Sequence, residues 1–311
     1  MSLHIAIQMD PILEINVNTD STFALILEAI KRNYIVYVYE ADSLTYKFND
    51  IYAKGQKILS AKKNKNQHVT LSPDIEIKLS ECDIVLMRQD PPFNMSYITA
   101  TYLLDQLDTL VLNNPTEVRN CPEKLFVTRF PYLMPNTIIT RNTSDIYSFL
   151  DQHKEIIIKP LYGNGGTGIF YFKEKSINFE TLLEALLDGS KEPIIIQEFL
   201  PNVTLGDKRI ILFDGKPVGA VNRVPKSGEI RSNIHVGGTA KKTTLNKQDM
   251  KICETIGPEL KNRGLFFAGI DVINGKLTEI NVTSPTCIQE IEKFNGTNIS
   301  KIFWDNIIKK V

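Results

Sequence analysis

The segment LTEINVTSPTCIQEIE (277–292) places a carboxylate and a carboxamide two residues apart and then breaks at a proline. Side chains at i and i+2 of a strand point to the same face, so Glu279 and Asn281 would lie side by side. Ile280 and Val282 would then face the core. An isolated E-x-N is more typical of an amphipathic strand with a solvated polar face than of a site. The choice depends on which other residues share this face.

The same predicted hairpin carries a second carboxylate, Asp271, on its first strand. A two-residue turn at 274–275 would place Asp271 and Glu279 on opposite faces. A three-residue loop at 273–275, with Gly275 in the left-handed region as a bulge, would place them on the same face. The sequence I-N-G-K permits this loop, which is the arrangement that brings the two carboxylates together.

On a shared face, Asp271, Glu279 and Asn281 would supply three oxygen donors for a hard cation. Mg²⁺ prefers carboxylate and carbonyl oxygens together with substrate phosphates. Leu277 would stand beside Glu279 on that face, as an apolar platform for a nucleotide base. The hairpin therefore predicts a metal and nucleotide site.

Two arginines, Arg209 and Arg223, lie on an earlier predicted hairpin that turns at 214–215. Their charges could neutralise a transferring phosphoryl group. Residues 283–286 (TSPT) are predicted to start the final helix, CIQEIEKF. Proline fits a helix's first turn, and hydroxyls with free N–H groups there form an anion site. A simple Ser or Thr cap is the alternative, and both can hold because they use the same donors.

A glycine-rich tract, KPLYGNGGTGIFYF, contains the pattern G-x-G-x-x-G at Gly163, Gly165 and Gly168. A dinucleotide-binding loop must open a helix, and a P-loop needs Gly-Lys-Ser/Thr, but strand-like residues follow here at 169–172. A strand–glycine loop–strand is a flap whose N–H groups can cover a phosphate chain. Lys159, at the end of the first strand, could meet the same phosphates. An ordinary surface loop is the alternative, although four glycines in six positions favour the flap.

The strand PIIIQEFL (193–200) follows the flap and is predicted to carry the adenine of a nucleotide. Gln197, Glu198 and the backbone at Phe199 and Leu200 are the polar groups available to the edge of the base. We interpret this strand as the hinge of a nucleotide site.

The N-terminal part alternates strand-like and helix-like runs, which is typical of an α/β fold with a small parallel sheet. The predicted elements are LHIAIQM, STFALILEAIKRN (capped by Asp20 or Ser21), YIVYVYE, DIVLMRQ, TYLLDQLDT and LVLNNP. We expect a domain at 1–122 and a second at 123–311. Ligands gather beyond the carboxyl ends of parallel strands, where Arg88 follows its strand. We interpret Arg88 as a candidate anion holder, with a surface ion pair as the alternative.

Charge and composition exclude several classes of protein. Lys+Arg and Asp+Glu are both 36, so no global basic field attracts nucleic acid. No apolar run is long enough for a membrane span, and the N-terminus does not have the pattern of a signal peptide. The four cysteines are scattered, without a C-x-x-C, so we expect reduced thiols in a cytoplasmic protein.

Several motifs resemble the ATP-grasp superfamily: KP at 159–160, GNGGTG, QEFL, DKRI and LTEINVTSPT. MDPI, MRQDPPF and EKLF, together with LTEINVTSPTC, resemble the bacterial glutathione synthetases over nearly the whole chain. The resemblance implies an N-terminal α/β domain and an ATP-grasp unit, with a flap subdomain at about 123–195 and a central and C-terminal subdomain at about 196–311. It implies ligation of γ-glutamylcysteine and glycine with ATP and Mg²⁺ or Mn²⁺, and a homo-oligomer, a tetramer.

The resemblance also implies a role for each matching residue. Nucleotide binding is assigned to Lys124, Lys159, Gly163, Gly165, Gly166, Gln197, Glu198, Phe199, Leu200, Asp207 and Leu277. Metal binding is assigned to Asp271, Glu279 and Asn281. Binding of the peptide and the acyl phosphate is assigned to Arg88, Arg209, Arg223, Asn281, Ser284 and Thr286. Arg209 and Arg231 are the candidate catalytic residues.

A polar, glycine-containing segment at 226–242 is expected to be a mobile lid that carries Arg231 over the acyl phosphate. Residues 225–238, which overlap this segment, depart from the more glycine-rich lid of the family, which puts lid kinetics in question. Two other functions stay open: another ATP-grasp carboxylate–amine ligase, or a nucleotide-binding regulator without catalysis.

Overall fold

The structure is a computed structural model that describes residues 2–64, 67–163, 165–174, 176, 178–232 and 237–311. Its N-terminal elements are β1 (His4–Gln8), α1 (Ser21–Lys31), β2 (Ile35–Lys47), β3 (Asp50–Ala61), β4 (Val69–Leu71), β5 (Ile75–Lys78), β6 (Ile84–Met87), α2 (Met95–Leu104) and β7 (Leu110–Leu112). Asp20 caps α1, because its side chain accepts from the N–H of Phe23 at 2.6 Å. The alternative cap, Ser21, is the first helical residue.

The predicted parallel sheet is confirmed. β1 pairs in parallel with β2 and β6, and β7 pairs in parallel with β6. The antiparallel strands β3, β4 and β5, which extend this sheet beyond β2, were not predicted. The turn between β2 and β3 is Phe48-Asn49, both left-handed, and it lacks the Asn-Gly or Asp-Gly pair that marks a hairpin in a sequence.

The middle of the chain forms a smaller antiparallel sheet in the order β10-β9-β11-β8. Its elements are α3 (Pro115–Asn120), α4 (Glu123–Phe126), β8 (Thr137–Thr140), α5 (Thr143–His153), β9 (Glu155–Pro160), β10 (Phe170–Lys173), α6 (Phe179–Asp188) and β11 (Ile194–Glu198). The glycine loop joins β9 to the antiparallel β10, as predicted for a flap. A separate hydrophobic core, which includes Phe149, Ile156 and Phe172, lies under this sheet.

The last part of the chain forms a third sheet, antiparallel, in the order β14-β13-β12-β15-β16. Its elements are β12 (Asp207–Phe213), β13 (Lys216–Val224), β14 (Thr239–Lys242), α7 (Lys247–Asn262), β15 (Phe267–Ile273), β16 (Lys276–Asn281), α8 (Ile288–Asn295) and α9 (Ile299–Ile307). The turns at 214–215 and 274–275 are confirmed, with positive φ at both residues of each. Two expectations are corrected: α9 follows the helix predicted to be final, and β14 occupies the end of the predicted lid.

In the hairpin of β15 and β16, Asp271 and Glu279 share a face as expected, but not through the expected three-residue loop. Ile273 pairs with Lys276, so the turn has two residues and the three-residue loop is not formed. The register then shifts, and Asp271 pairs with Glu279. The extra residue lies at 277–278, one step into β16, where a bulge restores the shared face.

The first and third sheets share their hydrophobic cores. Residues of β1 and β6 belong to the same cluster as residues of β12, β15 and β16, and a second cluster joins α1 to α9. Asn113, which follows β7, is buried, and its amide bonds the N–H and carbonyl of Phe267 at 2.7 and 2.8 Å and the Val282 carbonyl at 2.6 Å. The ends of β15 and β16 are therefore fixed to the N-terminal sheet. The domain boundary at 122/123 stays a prediction. Within the described residues, every helix is too short or too polar to cross a bilayer.

Candidate active site

One cleft brings together most of the side chains that the sequence predicts for the site. It is enclosed by the glycine loop after β9, the end of β11 and the strands β12, β13, β15 and β16. The predicted residues that line it are Lys124, Lys159, Gly163, Gly165, Gly166, Gln197, Glu198, Phe199, Leu200, Asp207, Arg209, Arg223, Arg231, Asp271, Glu279, Asn281, Ser284 and Thr286. Arg88 and Leu277 are not among its lining residues.

Leu277 lies in the core and not on the cleft wall. It is fully buried, and its N–H donates to the carbonyl of Leu133 at 2.8 Å. Because the bulge falls at 277–278, Thr278 faces the cleft in its place and donates its hydroxyl to the Asp271 carbonyl at 3.1 Å. The structure therefore does not give Leu277 the predicted position beside Glu279.

Two aspartates and two arginines form a buried quartet on the floor of the cleft. Strand register places Arg209 opposite Asp271 and Asp207 opposite Arg223. Arg209 holds Asp271 through two hydrogen bonds, at 2.5 and 2.9 Å, and Arg223 contacts both Asp271, at 2.9 Å, and Asp207. The arginines thus meet two carboxylates, so the quartet is close to neutral and does not present two free cations as the sequence suggested.

The charges of the quartet shift one another's pKa values. Burial acts to raise the pKa of Asp271, but Arg209 and Arg223 together outweigh it and hold that pKa well below its usual range. Burial raises the pKa of Asp207 to about 6, against the opposing effect of Arg223. Burial would lower the pKa of each arginine, yet the carboxylates keep both raised. Asp271 is therefore the firmly ionised member.

Glu279 and Asn281 lie beside this quartet and complete a set of oxygen donors. The Glu279 carboxylate is 3.7 Å from the Lys159 ammonium. Asn281 donates its Nδ2 to the Gly269 carbonyl at 3.3 Å. The described residues contain no group of three His, Cys, Asp or Glu side chains arranged to hold a metal. Two carboxylates and one carboxamide with substrate phosphates are nonetheless a donor set that fits a hard divalent cation.

The two predicted phosphate lysines reach the cleft from different elements. Lys159 is the penultimate residue of β9, and Lys124 projects from the short helix α4. The Lys124 ammonium donates to the Glu123 carboxylate at 2.6 Å and to the carbonyl of Gly163 in the glycine loop. Sequence reasoning missed Glu123, although it stands next to Lys124 in EKLF and lines the same cleft.

The glycine loop has the backbone that its sequence requires. Gly165, Gly166 and Gly168 have φ of 63°, 82° and 74°, the left-handed region that favours glycine. A Cβ on Gly165 would meet nothing within 4 Å, so this position is open to the cleft. Asn164 of the same loop lies outside the described residues.

The hinge strand uses most of its predicted polar groups within the protein. Gln197 donates to the Thr137 hydroxyl at 3.1 Å, and the Glu198 carboxylate accepts twice from Asn136 at 2.9 Å. The Phe199 N–H donates to a carbonyl of β9 at 3.0 Å. These bonds fix the shape of the hinge and leave fewer groups for a base than the sequence suggested.

Arg88 lines a second cavity, which adjoins the cleft at Asp90, Ser284 and Thr286. Its guanidinium donates to the Thr22 hydroxyl at 3.1 Å and to the Pro285 carbonyl at 2.8 Å. Burial lowers its pKa. Arg88 is thus neither in a surface ion pair nor on the cleft wall. It ties the N-terminal sheet to the segment after β16.

The segment 283–286 precedes α8 and does not form its first turn. The helix begins at Ile288, and its cap is Cys287, with φ of 85°. Ser284 donates its hydroxyl to the Arg88 carbonyl at 3.0 Å. Both Ser284 and Thr286 line the cleft, but the predicted helix start lies before Ile288, where the helix begins.

The predicted lid is described on both sides of residues 233–236, which lie outside the described residues. Arg231 lines the cleft and bonds Glu229 at 3.3 Å. Ser232, which was not predicted, is buried and donates its hydroxyl to Asp207 at 2.9 Å. The lid segment therefore contacts the quartet directly.

Comparison with known proteins agrees with this geometry. A model of the prokaryotic glutathione synthetase ATP-grasp domain matches residues 123–296, and a model of the N-terminal domain of the same enzymes matches residues 3–119. The chain belongs to the prokaryotic glutathione synthetase family. Its similarity to the glutathione synthetase of Brucella melitensis biotype 1 is 48% identity over 99% of both chains. The glutathione synthetase of Buchnera aphidicola subsp. Baizongia pistaciae is 43% identical to this chain, over 100% of this chain and 97% of its own.

Solved structures with the same fold include more distant ATP-grasp proteins. The D-cycloserine synthetase DcsG aligns with a TM-score of 0.68 at 12% identity, over 97% of this chain and 99% of its own. The ATP-grasp ligase PsnB, in a complex with Mg and ADP, aligns with a TM-score of 0.65 at 15% identity, over 99% and 98%. These similarities confirm the ATP-grasp fold expected from the sequence.

As a member of the glutathione synthetase family, the protein is an ATP-dependent ligase that makes glutathione. This confirms the enzyme class and the reaction that the sequence motifs implied. ATP is one of its small-molecule substrates, and ATP-grasp ligases in general depend on a divalent metal.

Proposed function

We propose that this glutathione synthetase works through an acyl phosphate. The carboxylate of the cysteinyl residue of γ-glutamylcysteine attacks the γ-phosphorus of ATP, and ADP leaves. The amine of glycine then attacks the acyl carbon, phosphate leaves and the amide bond of glutathione forms. The amine loses its proton in this step. The reaction needs no protein nucleophile, so the protein acts by positioning and by electrostatic stabilisation.

The observation that carries this proposal is the meeting of three groups in one cleft. Asp271 and Glu279 are paired across β15 and β16, and Lys159 lies 3.7 Å from Glu279. The glycine loop closes the cleft on the side of Lys124. Carboxylates, lysines and a glycine loop are the parts needed to hold a nucleotide triphosphate with its cation.

We assign the divalent cation, Mg²⁺ or Mn²⁺, to Asp271, Glu279 and Asn281. When bound, it disperses the negative charge of the transferring phosphoryl group. Lys124 and Lys159 hold the phosphates, together with the flap residues Gly163, Gly165 and Gly166.

We assign the base and ribose to the hinge, Gln197 to Leu200, and to Asp207. Phe199, whose ring centroid is 4.4 Å from that of Tyr171, offers an apolar surface there in place of Leu277. Thr278, on the bulge of β16, lines the same cleft.

We assign γ-glutamylcysteine to the second cavity and its junction with the cleft. Arg88, Ser284 and Thr286 line this cavity, and we assign them to its carboxylate groups. Asp10 and Asp20 line the same cavity, where an ammonium group would be favoured. The reacting carboxylate would lie near the junction, within reach of Arg209, Arg223 and Arg231, which line the cleft. Arg231 and the lid would keep water away from the acyl phosphate.

We also propose a cytoplasmic location, since the four cysteines are buried and free and therefore form no disulfides. A homotetramer stays a prediction from the resemblance to the family.

Glu279→Gln tests the metal assignment, because it keeps the shape of the side chain and removes one charge facing the cation. We expect ADP release to fall by about 100-fold or more in saturating Mg²⁺. Glu254→Gln, at an exposed position of α7, is the control and should match wild type. A Glu279→Gln enzyme that keeps most of the wild-type rate would remove Glu279 from the metal site.

Hydroxylamine tests the intermediate. With ATP and γ-glutamylcysteine but no glycine, it should trap the acyl phosphate as a hydroxamate, with one ADP released for each hydroxamate formed. If neither product forms under these conditions while glycine supports full turnover, the acyl-phosphate route is wrong.

A further inference from the structure

Glu123 is a carboxylate of the active-site cleft that the mechanism above does not use. It is the first residue of α4, its side chain is 19% exposed, and it lines the cleft with Lys124, Glu279 and the glycine loop. A carboxylate facing a polyphosphate site is unfavourable on charge alone. Its presence there calls for a physical reason.

The contacts of Lys124 supply that reason. Its side chain is 5% exposed, and its ammonium is bonded to the Glu123 carboxylate at 2.6 Å and to the Gly163 carbonyl. An ammonium has three N–H donors, so these two bonds leave one donor for a ligand. A lysine side chain is a flexible four-carbon stem, and two fixed partners remove most of its freedom before a ligand arrives.

The electrostatic surroundings of Glu123 also favour its pairing with Lys124. Burial raises the pKa of Glu123, and repulsion from Glu279 raises it further, whereas the charge and the hydrogen bond of Lys124 lower it. The Lys124 pKa is raised by Glu279 and Glu123 against the effect of burial. The two side chains therefore stabilise each other's charged forms inside the cleft.

We propose that Glu123 is a positioning residue for Lys124: it clamps the ammonium against the Gly163 carbonyl, so that one N–H donor is fixed toward the phosphates of the nucleotide. The clamp also ties the glycine loop to α4 through Lys124. This inference rests on the proposed function, because it takes Lys124 to be a phosphate-binding residue.

A direct metal-binding role for Glu123 is the competing explanation. The described residues contain no group of three His, Cys, Asp or Glu side chains arranged around a metal position, so Glu123 does not form such a group with Asp271 and Glu279. The two roles differ in a measurable way. A positioning residue acts only through Lys124, whereas a metal ligand acts whether or not Lys124 is present.

The test measures the affinities of ADP and adenosine by titration calorimetry for the intact protein. Glu123→Ala should weaken ADP binding by about tenfold or more, the effect of one charge-assisted hydrogen bond, and leave adenosine binding unchanged because adenosine has no phosphates. In a Lys124→Met background, Glu123→Ala should change ADP affinity by less than about twofold.

Glu117→Ala is the matched control. Glu117 is 22% exposed, is ion-paired with Arg263 and lies outside both cavities. It should bind both ligands as wild type does. If Glu123→Ala does not fold, Glu123→Gln replaces it and should show a smaller loss of ADP affinity in the same direction.

Three results would overturn the inference: tighter ADP binding by the Glu123 variants, equal losses for ADP and adenosine, or the same loss in the Lys124→Met background. A wild-type protein and a Glu117→Ala control that both fail to bind ADP would instead refute the proposed function. The two failures are therefore distinguishable.

Discussion

Replacing Asp271 by asparagine tests whether its carboxylate stabilises the fold, in addition to the metal binding proposed for it. Its carboxylate accepts two hydrogen bonds from Arg209, at 2.5 and 2.9 Å, and is ion-paired with Arg223 at 2.9 Å. The arginine side chains are only 7% and 4% exposed. Asp271→Asn keeps the size of the side chain but leaves two buried guanidinium groups with Asp207 as their remaining partner in the quartet.

Breaking a buried ion pair by removing one partner costs about 3–5 kcal/mol, because the other charge stays buried without compensation. We therefore expect the free energy of unfolding of Asp271→Asn to fall by about 3–5 kcal/mol at pH 7. The depressed pKa of Asp271 fixes the pH range of this effect. Its stabilisation is present above the unfolded pKa, near 3.9, and is lost as the pH falls through the lower folded value.

Urea unfolding followed by tryptophan fluorescence and circular dichroism, between pH 8 and pH 3, measures this difference. Glu279→Gln is the comparison, because Glu279 is 18% exposed and its nearest cation, Lys159, is 3.7 Å away. It should lose turnover with little loss of stability. If Asp271→Asn unfolds within about 0.5 kcal/mol of wild type, within the range of an ordinary surface substitution, the quartet does not stabilise the fold as argued.

Three further predictions follow from other contacts. Arg88→Lys should weaken γ-glutamylcysteine binding by about 1.5–3 kcal/mol with ATP affinity unchanged; equal losses for both ligands in calorimetry would show that Arg88 only supports the fold. Asp207 has a folded pKa of about 6, so wild type should gain stability relative to Asp207→Asn as the pH falls from 7 to 4, and a constant difference in melting temperature across that range would contradict the raised pKa. Asn113→Ala should lower the free energy of unfolding by about 2–4 kcal/mol in urea titrations, because the backbone groups at the ends of β15 and β16 lose three hydrogen bonds; unchanged stability would mean that those groups find other partners.

The sequence by itself determined the features that depend on neighbouring residues. The alternation of apolar runs predicted the parallel strands β1, β2, β6 and β7, because each run buries its own side chains whatever surrounds it. Asp214-Gly215 and Asn274-Gly275 predicted both turns, since few other pairs adopt two left-handed residues in succession. The strand after the glycine loop excluded a dinucleotide fold without any knowledge of tertiary contacts.

The motifs also placed most of the site residues in one cleft, although the contacts of those residues were not predicted. Gln197 bonds Thr137, Glu198 bonds Asn136, and Arg209 and Arg223 are matched by aspartates on facing strands. A motif specifies which residue type occupies a position. Whether that side chain is free for a ligand or already paired depends on residues that are distant in the chain.

Only the tertiary structure decided how Asp271 and Glu279 come to face each other. The three-residue loop expected to bring them together is not formed; the turn has two residues, and the bulge at 277–278 gives the shared face instead. The bulge sends Leu277 into a core built from both ends of the chain and turns Thr278 toward the cleft. The role inferred for Glu123 also depends on tertiary structure, because the contact of Lys124 with Gly163 joins residues 39 positions apart. Register and charge pairing at such separations depend on how the sheets pack, because no local pattern of residues specifies them.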